Sequence, residues 1–448
     1  MLNLDEFEVT DKQVNEYYYV FHIQAKEKPT VCPMCTFVKN DEQGHPWLQS
    51  PEYVGKDFKQ HSYRERELSD IPIHGKPVKL VLKHKRYRCP ICNKTFYEQF
   101  KSIDRAGKIT IRLRDYIQAQ SFKKPFSKVA EEVDMSPTSV KNYFEDAVRQ
   151  LDKDRKIIAP RVLGIDEAHL NKTMRGVFTD TENNKLLEIS KDNLKRTVKE
   201  VIQSMEGYEN IEVVTIDMYA GYKYACRELI PNVIIVIDKF HVIQYVIRAL
   251  EEVRKEVKRS LPKDKQRILT YDRWTLLKNK ESLQPKEIAK RDVWFEEFPE
   301  LGIAYWLKEN LRDMYDCKTK YDAFQKYYYD FQSQIPDTHT FQPFKDVVKT
   351  FENNKQEIFN YFDRRETNAY TESINNIIKS VEKEGKGYSF EVLRAKVLYG
   401  TNATKRPKFK RDMDFKRFDK LGLDNLYYEG FEVDLNELKT HLECRDNQ

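Results

Sequence analysis

The sequence predicts a multidomain α/β protein, and three observations indicate this fold class. The chain has 448 residues, whereas a single domain typically has roughly 100–200. Residues 160–240 alternate short apolar strands with helical segments, which is typical of an α/β unit. Residues 245–360 have helical spacing and separate this unit from a last helical segment. We therefore expect an α/β core with a helical insertion, preceded by smaller N-terminal modules.

The composition excludes several protein classes. Hydrophobic residues make up 40% of the chain and charged residues 33%, and no apolar stretch approaches the roughly 20 residues that span a bilayer. The first residues, MLNLDEFEVT, carry acids where a secretory signal has a basic region. Seven cysteines in such a chain indicate reduced thiols or metal ligands instead of a disulfide framework. These features predict a cytoplasmic protein with no membrane partner.

Positive charge is concentrated in one part of the chain. The net charge is only +6, but residues 76–128 contain fifteen Lys and Arg against three Asp and Glu, a surplus of twelve. A smaller basic run, residues 405–420, has eight basic residues against three acidic ones. The first run predicts a surface for a polyanion such as DNA, with a solvated basic surface as the alternative.

Two cysteine pairs predict a metal site near the N-terminus. A probable strand, YYYVFHIQA, leads to Cys32-Pro-Met-Cys35, and an alternating hairpin pattern leads to Cys89-Pro-Ile-Cys92. Each pair can present two thiolates, so the two pairs together supply the four ligands of a tetrahedral zinc site. The 54 positions between Cys35 and Cys89 exceed the spacer of a compact zinc ribbon. A redox role for one pair is the alternative, and the basic flanks favour structural zinc.

Residues 126–144 predict two short helices joined by a tight turn. Ser127 is placed to cap the first helix, Asp134-Met135 forms the turn, and Ser136-Pro137 begins the second helix. This spacing is typical of a helix-turn-helix, although any bundle of three helices can show it. The inward-facing positions are Val129, Ala130, Val133, Val140 and Phe144. The second helix would present to a major groove the side chains of Thr138, Ser139, Lys141 and Asn142.

Three apolar runs in the α/β unit carry an aspartate. Asp166 lies within the first strand, Asp217 ends a later strand, and Asp238 ends the next one. Carboxylates at strand ends project into the crevice where α/β sheets bind ligands. A solvent-facing end of a strand is the alternative for any single one of them.

A fourth carboxylate, Glu372, lies on a predicted helix. Glu372, Asn375, Asn376 and Lys379 follow the i, i+3, i+4, i+7 spacing, so they form one polar stripe. Grouped carboxylates can hold two hard cations about 4 Å apart, the arrangement used for phosphodiester chemistry. A chance polar stripe on an exposed helix is the rival interpretation.

These motifs resemble the DDE transposases of the ISL3 group of bacterial insertion sequences over nearly the full chain. The matching elements are the two cysteine knuckles with RYRCPICNKTF, the helix-turn-helix, GIDEAH, DMYAGY, DKFH, RWTLLKN, and TESINNIIK followed by GYSFEVLRAKVL. The resemblance implies a zinc-binding head, N-terminal modules that recognise terminal inverted repeats, and a catalytic core of RNase H-like fold. It also implies metal-dependent hydrolysis of a phosphodiester at the element end, then joining of the freed 3′-hydroxyl to target DNA with Mg²⁺ or Mn²⁺.

Carried over to this sequence, the catalytic triad falls on Asp166, Asp217 and Glu372. Asp238 and His241 form a D-x-x-H pair beside the active site, and Asp238 competes with Asp217 for the role of second metal ligand. A homodimer that brings two element ends together is implied, as is a bacterial protein associated with the nucleoid when bound to DNA. Besides the four groups on the second helix, the predicted DNA contacts are Arg86, Arg88, Lys123, Lys124, Asn376, Lys379 and Arg394.

Two other functions remain open at this stage. One is a transposase-derived regulator that binds DNA without catalysis, and the other is an RNase H-like nuclease that cuts without joining. The tryptophans of the insertion, Trp274, Trp294 and Trp306, are expected mostly in the core. An exposed one would be free to stack on an unpaired base at the cleaved end.

The predicted boundaries are 1–100 for the zinc-binding β-rich module, 101–158 for the helix-turn-helix domain, 159–245 for the first part of the core, 246–360 for the helical insertion, 361–402 for the final catalytic helix and 403–448 for a basic C-terminal tail.

Overall fold

The computed structural model describes residues 4–30, 32–33, 37–40, 46–49, 58–90, 92–104, 106–385 and 387–402. The predicted basic tail, 403–448, and the predicted zinc ligand Cys35 lie outside the described residues. Among the helices that fall within these ranges, none combines the length and the apolar composition needed to cross a bilayer.

The N-terminal module is rich in β-structure, as predicted. Its strands are β1 Phe7–Val14, β2 Tyr19–Ala25, β3 Phe37–Asn40, β4 Pro46–Gln49, β5 Lys59–Ile73, β6 Lys76–Arg88 and β7 Thr95–Tyr97. One sheet has the order β1-β2-β6-β5, with β7 added to β6, and β3 pairs with β4 separately. The predicted turn between β5 and β6 is present, with positive φ at both His74 and Gly75. Two such residues match the right-handed twist of the flanking strands.

Three helices follow: α1 Ile111–Ser121, α2 Phe126–Val133 and α3 Pro137–Asp154. The five inward-facing apolar positions predicted for α2 and α3 are buried. Asp134 adopts the left-handed conformation that ends α2, and the Ser136 hydroxyl accepts a hydrogen bond from the Ser139 amide at 3.1 Å. The predicted cap at Ser127 is wrong. Helix α2 begins at Phe126, two residues earlier than a cap at Ser127 implies, and Pro125 is in the cap position. The Phe126 amide donates to the Tyr388 hydroxyl at 2.8 Å.

The α/β unit contains one five-stranded sheet. Its elements are β8 Val162–Leu170, β9 Thr173–Asp180, β10 Lys185–Ile189, α4 Lys195–Gln203, β11 Val213–Ile216, α5 Ala220–Leu229 and β12 Ile234–Ile237. The strand order is β10-β9-β8-β11-β12. Strands β8 to β10 are antiparallel, whereas β8, β11 and β12 run parallel. The parallel strands are almost fully buried, as expected when helices cover both faces of a sheet.

The remaining helices are α6 Lys239–Ser260, α7 Lys263–Tyr271, α8 Arg273–Leu277, α9 Pro285–Glu297, α10 Pro299–Tyr315, α11 Lys320–Gln325, α12 Gln342–Asn353, α13 Lys355–Arg364, α14 Ala369–Glu384 and α15 Phe390–Asn402. Helix α6 begins directly after β12 and continues across residue 245, so the predicted start of the insertion lies inside one helix. The expectation that most insertion tryptophans are core residues is wrong. Trp294 is buried, but Trp274 is 65% exposed and Trp306 is 45% exposed.

Helix α15 joins two hydrophobic cores. Its residues Leu393 and Val397 pack with Ile374 of α14 against the sheet. Two other residues of α15, Val392 and Ala395, belong to the core of α1, α2 and α3. The three-helix unit is therefore packed directly onto the end of the α/β unit.

Candidate active site

Three aspartates lie at one edge of the sheet because of the strand register. Strands β11 and β12 are paired in parallel up to Ile216 and Ile237, so Asp217 and Asp238 leave the sheet side by side. Strand β8 pairs with β11 through Gly164 and Thr215, and continuing this register by two residues brings Asp166 level with Asp217. Asp166 is only 5% exposed. The carboxyl edge of the three parallel strands therefore collects the three side chains.

Helix α14 brings Glu372 to this edge. The side-chain amide of Asn375 donates to Asp166 Oδ2 at 2.8 Å and to the Glu167 carbonyl at 3.2 Å, which fixes the helix against β8. Ligand atoms of Asp238, His241 and Glu372 all lie within 4.8 Å of one another. The His241 Nε2 atom is also 3.6 Å from Asp166 Oδ1. The side chains of Asp166, Asp238, His241 and Glu372 therefore lie together at this edge of the sheet.

Asp217 lies at the side of this group. It is outside the set of three that share the 4.8 Å spacing, and its Oδ1 accepts the Tyr219 amide at 2.8 Å. The negative charges of Glu167 and Asp166 nevertheless act on it. The geometry therefore places Asp238 at least as centrally as Asp217.

Burial raises the pKa of all four carboxyl groups. Burial is the main cause of the raised pKa of Asp166, Asp238 and Glu372, and His241 opposes the rise in each case. Neighbouring carboxylates add to the rise for Asp166 and Glu372, whereas the Asn368 amide opposes it for Asp238. The pKa of Asp217 rises to about 6, again mainly through burial and then through Glu167. Acids gathered away from water favour their neutral forms unless a cation compensates them.

The donor set fits divalent metal ions. Three buried atoms at this edge have no hydrogen-bond partner among the described residues: Glu372 Oε1, His241 Nε2 and Asn375 Oδ1. Buried polar atoms are normally paired, so unpaired ones need an explanation. Carboxylate oxygens are the ligands that Mg²⁺ and Mn²⁺ prefer. Cations at this edge would satisfy both the unpaired atoms and the crowded negative charge.

The sequence did not reveal a buried polar network beneath the carboxylates. Asn368, immediately before α14, donates from its side chain to the Ile165 carbonyl at 3.2 Å and from its backbone to Asp238 Oδ1 at 3.4 Å. Its side-chain oxygen accepts from the hydroxyls of Thr215 and Thr371. A Cβ at Gly164 would come within 2.7 Å of that oxygen, so the glycine allows the close approach. An asparagine before a helix suggests an ordinary cap, and only the tertiary structure shows the links to the sheet.

Glu167 is a second feature that the sequence did not single out. Its Oε1 accepts from Asn193 Nδ2 at 2.7 Å and from the Tyr222 hydroxyl at 3.2 Å. Tyr222 is fully buried in α5. These two donors hold the Glu167 carboxylate beside Asp217.

The N-terminal module brings three cysteines together. The Sγ atoms of Cys32, Cys89 and Cys92 lie within 4.8 Å of one another, and those of Cys32 and Cys92 are 3.9 Å apart. Thiolates bound to one tetrahedral zinc at about 2.3 Å would be about 3.8 Å apart. The long spacer in the sequence therefore does not prevent Cys32 from meeting Cys89 and Cys92.

The predicted DNA contacts have different surroundings. Those that are exposed are Arg88, Lys123, Thr138, Lys141, Asn142, Asn376 and Lys379. Arg86 is partly covered and lies over the Tyr97 ring, 5.6 Å from its centre. The Ser139 hydroxyl is 2.9 Å from that of Ser136, and Lys124 pairs with Glu132 at 2.6 Å.

Arg394 is held inside the protein by acids. Its guanidinium binds both oxygens of Glu188 at 2.7 Å and lies 3.3 Å from Asp152. This links α15 to β10 and α3. A DNA contact by Arg394 stays a prediction, and it would compete with these ion pairs.

Comparison with known proteins identifies the family of the chain. The family model of the ISL3-group DDE transposases, described as a transposase, matches residues 163–397, just over half of the chain. The chain belongs to this transposase family. A second model, the zinc-finger of the transposases of IS204, IS1001, IS1096 and IS1165, matches residues 55–92. This supports structural zinc in the N-terminal module of the transposase.

A curated relative agrees with the family. The transposase for insertion sequence element IS1001 of Bordetella parapertussis is 24% identical over 262 residues, which cover 57% of this chain and 64% of that protein. The match thus spans less than two thirds of the length of the relative. The resemblance inferred from the sequence motifs is confirmed, as are the insertion-sequence and zinc-finger assignments.

Proposed function

We propose that this transposase binds the terminal inverted repeats of its insertion sequence, cuts the element ends with divalent metal ions and joins the 3′-hydroxyl ends to target DNA. The observation that carries the proposal is the convergence of Asp166, Asp217, Asp238 and Glu372 at one sheet edge. Buried oxygens without partners and raised pKa values accompany this convergence.

We propose that the catalytic core has the RNase H-like fold. Three antiparallel strands followed by two parallel ones, in the order β10-β9-β8-β11-β12, support it. In this proposal residues 159–245 and 361–402 form the core and residues 246–360 form the insertion. The module 1–100 and the helix-turn-helix domain 101–158 bind DNA. In the tail 403–448 the run 405–420 adds basic charge, with eight basic residues against three acidic ones.

Asp166, Glu372 and either Asp217 or Asp238 would hold Mg²⁺ or Mn²⁺. Such ions polarise the phosphodiester and stabilise the attacking and leaving oxygens. The protein positions the ligands: Asn375 orients Asp166, and Asn368 ties the start of α14 to Asp238 and the sheet. His241, whose Nε2 atom is 3.6 Å from Asp166 Oδ1, would support the metal ligands from beside them.

The N-terminal modules would supply sequence recognition. We propose that Cys35 completes the zinc site of Cys32, Cys89 and Cys92. Lys141 and Asn142 on α3 would contact the major groove, and the basic segment 76–128 would bind phosphates. A homodimer would bring two ends together.

Cleavage of the terminal repeats that flank the gene tests the proposal. Wild-type protein with Mg²⁺ or Mn²⁺ should cut the ends and produce strand-transfer products, whereas Asp166→Asn and Glu372→Gln should bind the same DNA without cutting it. The second metal ligand is identified by comparing Asp217→Asn with Asp238→Asn at several metal concentrations. The variant that loses more cleavage activity has lost the ligand. Binding without cleavage by the wild type would indicate a regulator, and cleavage without joined products would indicate a nuclease.

A further inference from the structure

One face of α6 leads out of the candidate active site. His241 points toward Asp166 from the first turn of this helix. Tyr245 and Arg248 follow at i+4 and i+7, so they lie on the same side one and two turns further along. Both are exposed, and the Arg248 guanidinium lies 5.4 Å from the centre of the Tyr245 ring.

A second exposed aromatic ring with an arginine beside it lies on α8. The Arg273 guanidinium lies 5.1 Å from the Trp274 ring, which is 65% exposed. Arg273 also binds Glu251 of α6 at 3.0 Å, so α8 is attached to α6 one turn beyond Arg248. Tyr271, at the end of α7, is 70% exposed and lies 5.8 Å from Arg267. A soluble surface normally spreads such large rings singly.

We infer that Tyr245, Arg248, Tyr271, Arg273 and Trp274, called here the aromatic–arginine strip, bind unpaired DNA that extends from the cleaved end. This inference rests on the proposed function and names a further part of its substrate. Glu251 is ten residues from His241, about 15 Å along the helix, or roughly four nucleotides at the spacing of stacked bases.

The chemistry of the strip favours single strands over duplex DNA. A duplex presents base edges and phosphates, whereas an unpaired base presents a flat face on which an aromatic ring can stack. Each ring here has an arginine beside it. Arg248 and Arg267 form no ion pair among the described residues and can meet a phosphate, whereas Arg273 is held by Glu251. The acids nearby are already paired, because Glu251 binds Arg254 and Arg273 and Glu252 binds Lys255. The strip therefore presents net positive charge.

Binding of a fluorescent oligothymidine of about 12 nucleotides, measured by anisotropy without added Mg²⁺, tests the inference. Trp274→Leu should weaken binding of this probe about tenfold, because stacking contributes about 1–3 kcal/mol per base. Binding to a duplex of equal length should change less than about twofold. Trp306→Leu is the matched control, since Trp306 is also exposed and lies 5.8 Å from Arg291 but is on α10. It should leave both affinities unchanged.

Photo-crosslinking locates the contact directly. Oligothymidine carrying 5-iodouracil should crosslink to Trp274, Tyr271 or Tyr245, and peptide mapping identifies the site. Wild-type affinity in Trp274→Leu, an equal loss of duplex binding, or crosslinks confined to the N-terminal modules would overturn the inference. The inference would also be overturned if Trp274→Leu changed the oligomeric state without changing probe binding, because the strip would then be a protein interface. The assay contains no cleavage step, so its failure leaves the carboxylate assignment intact.

Discussion

Two groups of acids in this protein look alike until their partners are compared. The carboxylate edge consists of Asp166, Asp217, Asp238 and Glu372. The second group, called here the compensated cluster, is Glu281, Glu309 and Asp313 in the helical insertion. One oxygen of each lies within 4.8 Å of the others, the same spacing that the ligand atoms of Asp238, His241 and Glu372 have. Lys308 and Arg312 each bind Glu309 at 2.6 Å, and Lys280 binds Asp313 at 2.6 Å.

The difference shows why proximity of acids alone does not indicate a metal site. In the compensated cluster, Lys308 and Glu309 are fully buried as a pair, and Lys308 donates to the Lys278 carbonyl at 2.6 Å. At the carboxylate edge burial raises the pKa of the acids, and no Lys or Arg among the described residues forms an ion pair with any of them. Glu309 Oε1 and Glu372 Oε1 both lack a hydrogen-bond partner among the described residues, but only Glu309 Oε1 has a cation beside it, Lys308 Nζ at 2.6 Å. The cluster with its own cations holds helices together, whereas the edge without them is suited to binding metal ions.

The largest expected effect is the loss of catalysis in Asp166→Asn. Cleavage should fall about a thousandfold or more, because a metal ligand contributes several kcal/mol to the transition state. The fold should persist, since the amide oxygen can still accept one of the two hydrogen bonds that Asp166 accepts from the Glu167 backbone and the Asn375 side chain. In metal-free buffer the melting temperature should stay the same or rise, because one crowded charge is gone. Single-turnover cleavage and calorimetry measure the two effects, and a strongly destabilised variant would contradict the comparison.

The opposite result is expected for Glu309→Gln. Breaking the buried ion pair leaves Lys308 without its acid and leaves Arg312 with Glu281 alone, so the free energy of unfolding should fall by about 3–5 kcal/mol. Cleavage measured well below the melting temperature should stay near the wild-type rate. Denaturant unfolding checks the stability change. Asp313→Asn changes another acid of this cluster and should also lower stability. If Mg²⁺ restored the lost stability of this variant, the cluster would bind metal and the comparison would be wrong.

A smaller effect is expected for Asn368→Ala, which removes the link between α14 and the sheet. Several buried groups lose partners, among them the Ile165 carbonyl and the Thr215 hydroxyl, so stability should fall by about 2 kcal/mol. The Mn²⁺ concentration for half-maximal cleavage should rise about tenfold, as for other groups that orient ligands. Ser373→Ala, an exposed change on the same helix, is the control. An unchanged metal requirement in Asn368→Ala would limit Asn368 to a structural role.

The smallest effect concerns pH. The pKa of Asp217 in the folded protein is about 6, above its ordinary value of about 4. Its contribution to the stability of the metal-free protein is therefore present below about pH 4 and lost as the pH rises through about 6. Metal needs the ionised form, so the stabilisation by Mg²⁺ should grow over the same interval. Thermal unfolding from about pH 5 to pH 7.5 tests this, and Asp217→Asn should show a weaker dependence.

Much of the fold follows from local patterns in the sequence. The apolar runs before Asp217 and Asp238 predict two strands, and the parallel register of these strands explains why the two residues meet. The apolar spacing of α2 and α3 likewise predicts which of their residues are buried. The prediction of a cap at Ser127 failed because α2 already begins at Phe126, so the Val129 amide that such a cap could bind donates to the Pro125 carbonyl instead, at 3.2 Å. The contact between the Phe126 amide and Tyr388, far away in the chain, has no signal in the local sequence.

The site is less visible in the sequence than the fold. Asp166 and Glu372 are candidates from pattern alone, but the central position of Asp238 depends on how α6 and α14 approach the sheet. The charge of Arg394 and its place in the GYSFEVLRAKVL motif led to its prediction as a phosphate contact. Its partner Glu188 is more than 200 positions away, and only tertiary packing reveals that pairing. Long-range polar contacts of this kind leave no periodic signal.

Mg²⁺-dependent thermal stabilisation tests the central claim most directly, because this hard cation has little affinity for the thiolates of the zinc module. At about a hundred times its dissociation constant, Mg²⁺ should add about 2.7 kcal/mol of stability to the wild type. Glu281→Gln, a change in the compensated cluster, should respond in the same way, whereas Asp166→Asn should show no gain. An undiminished gain in Asp166→Asn, or its loss in Glu281→Gln, would contradict the assignment of the carboxylate edge as the metal site.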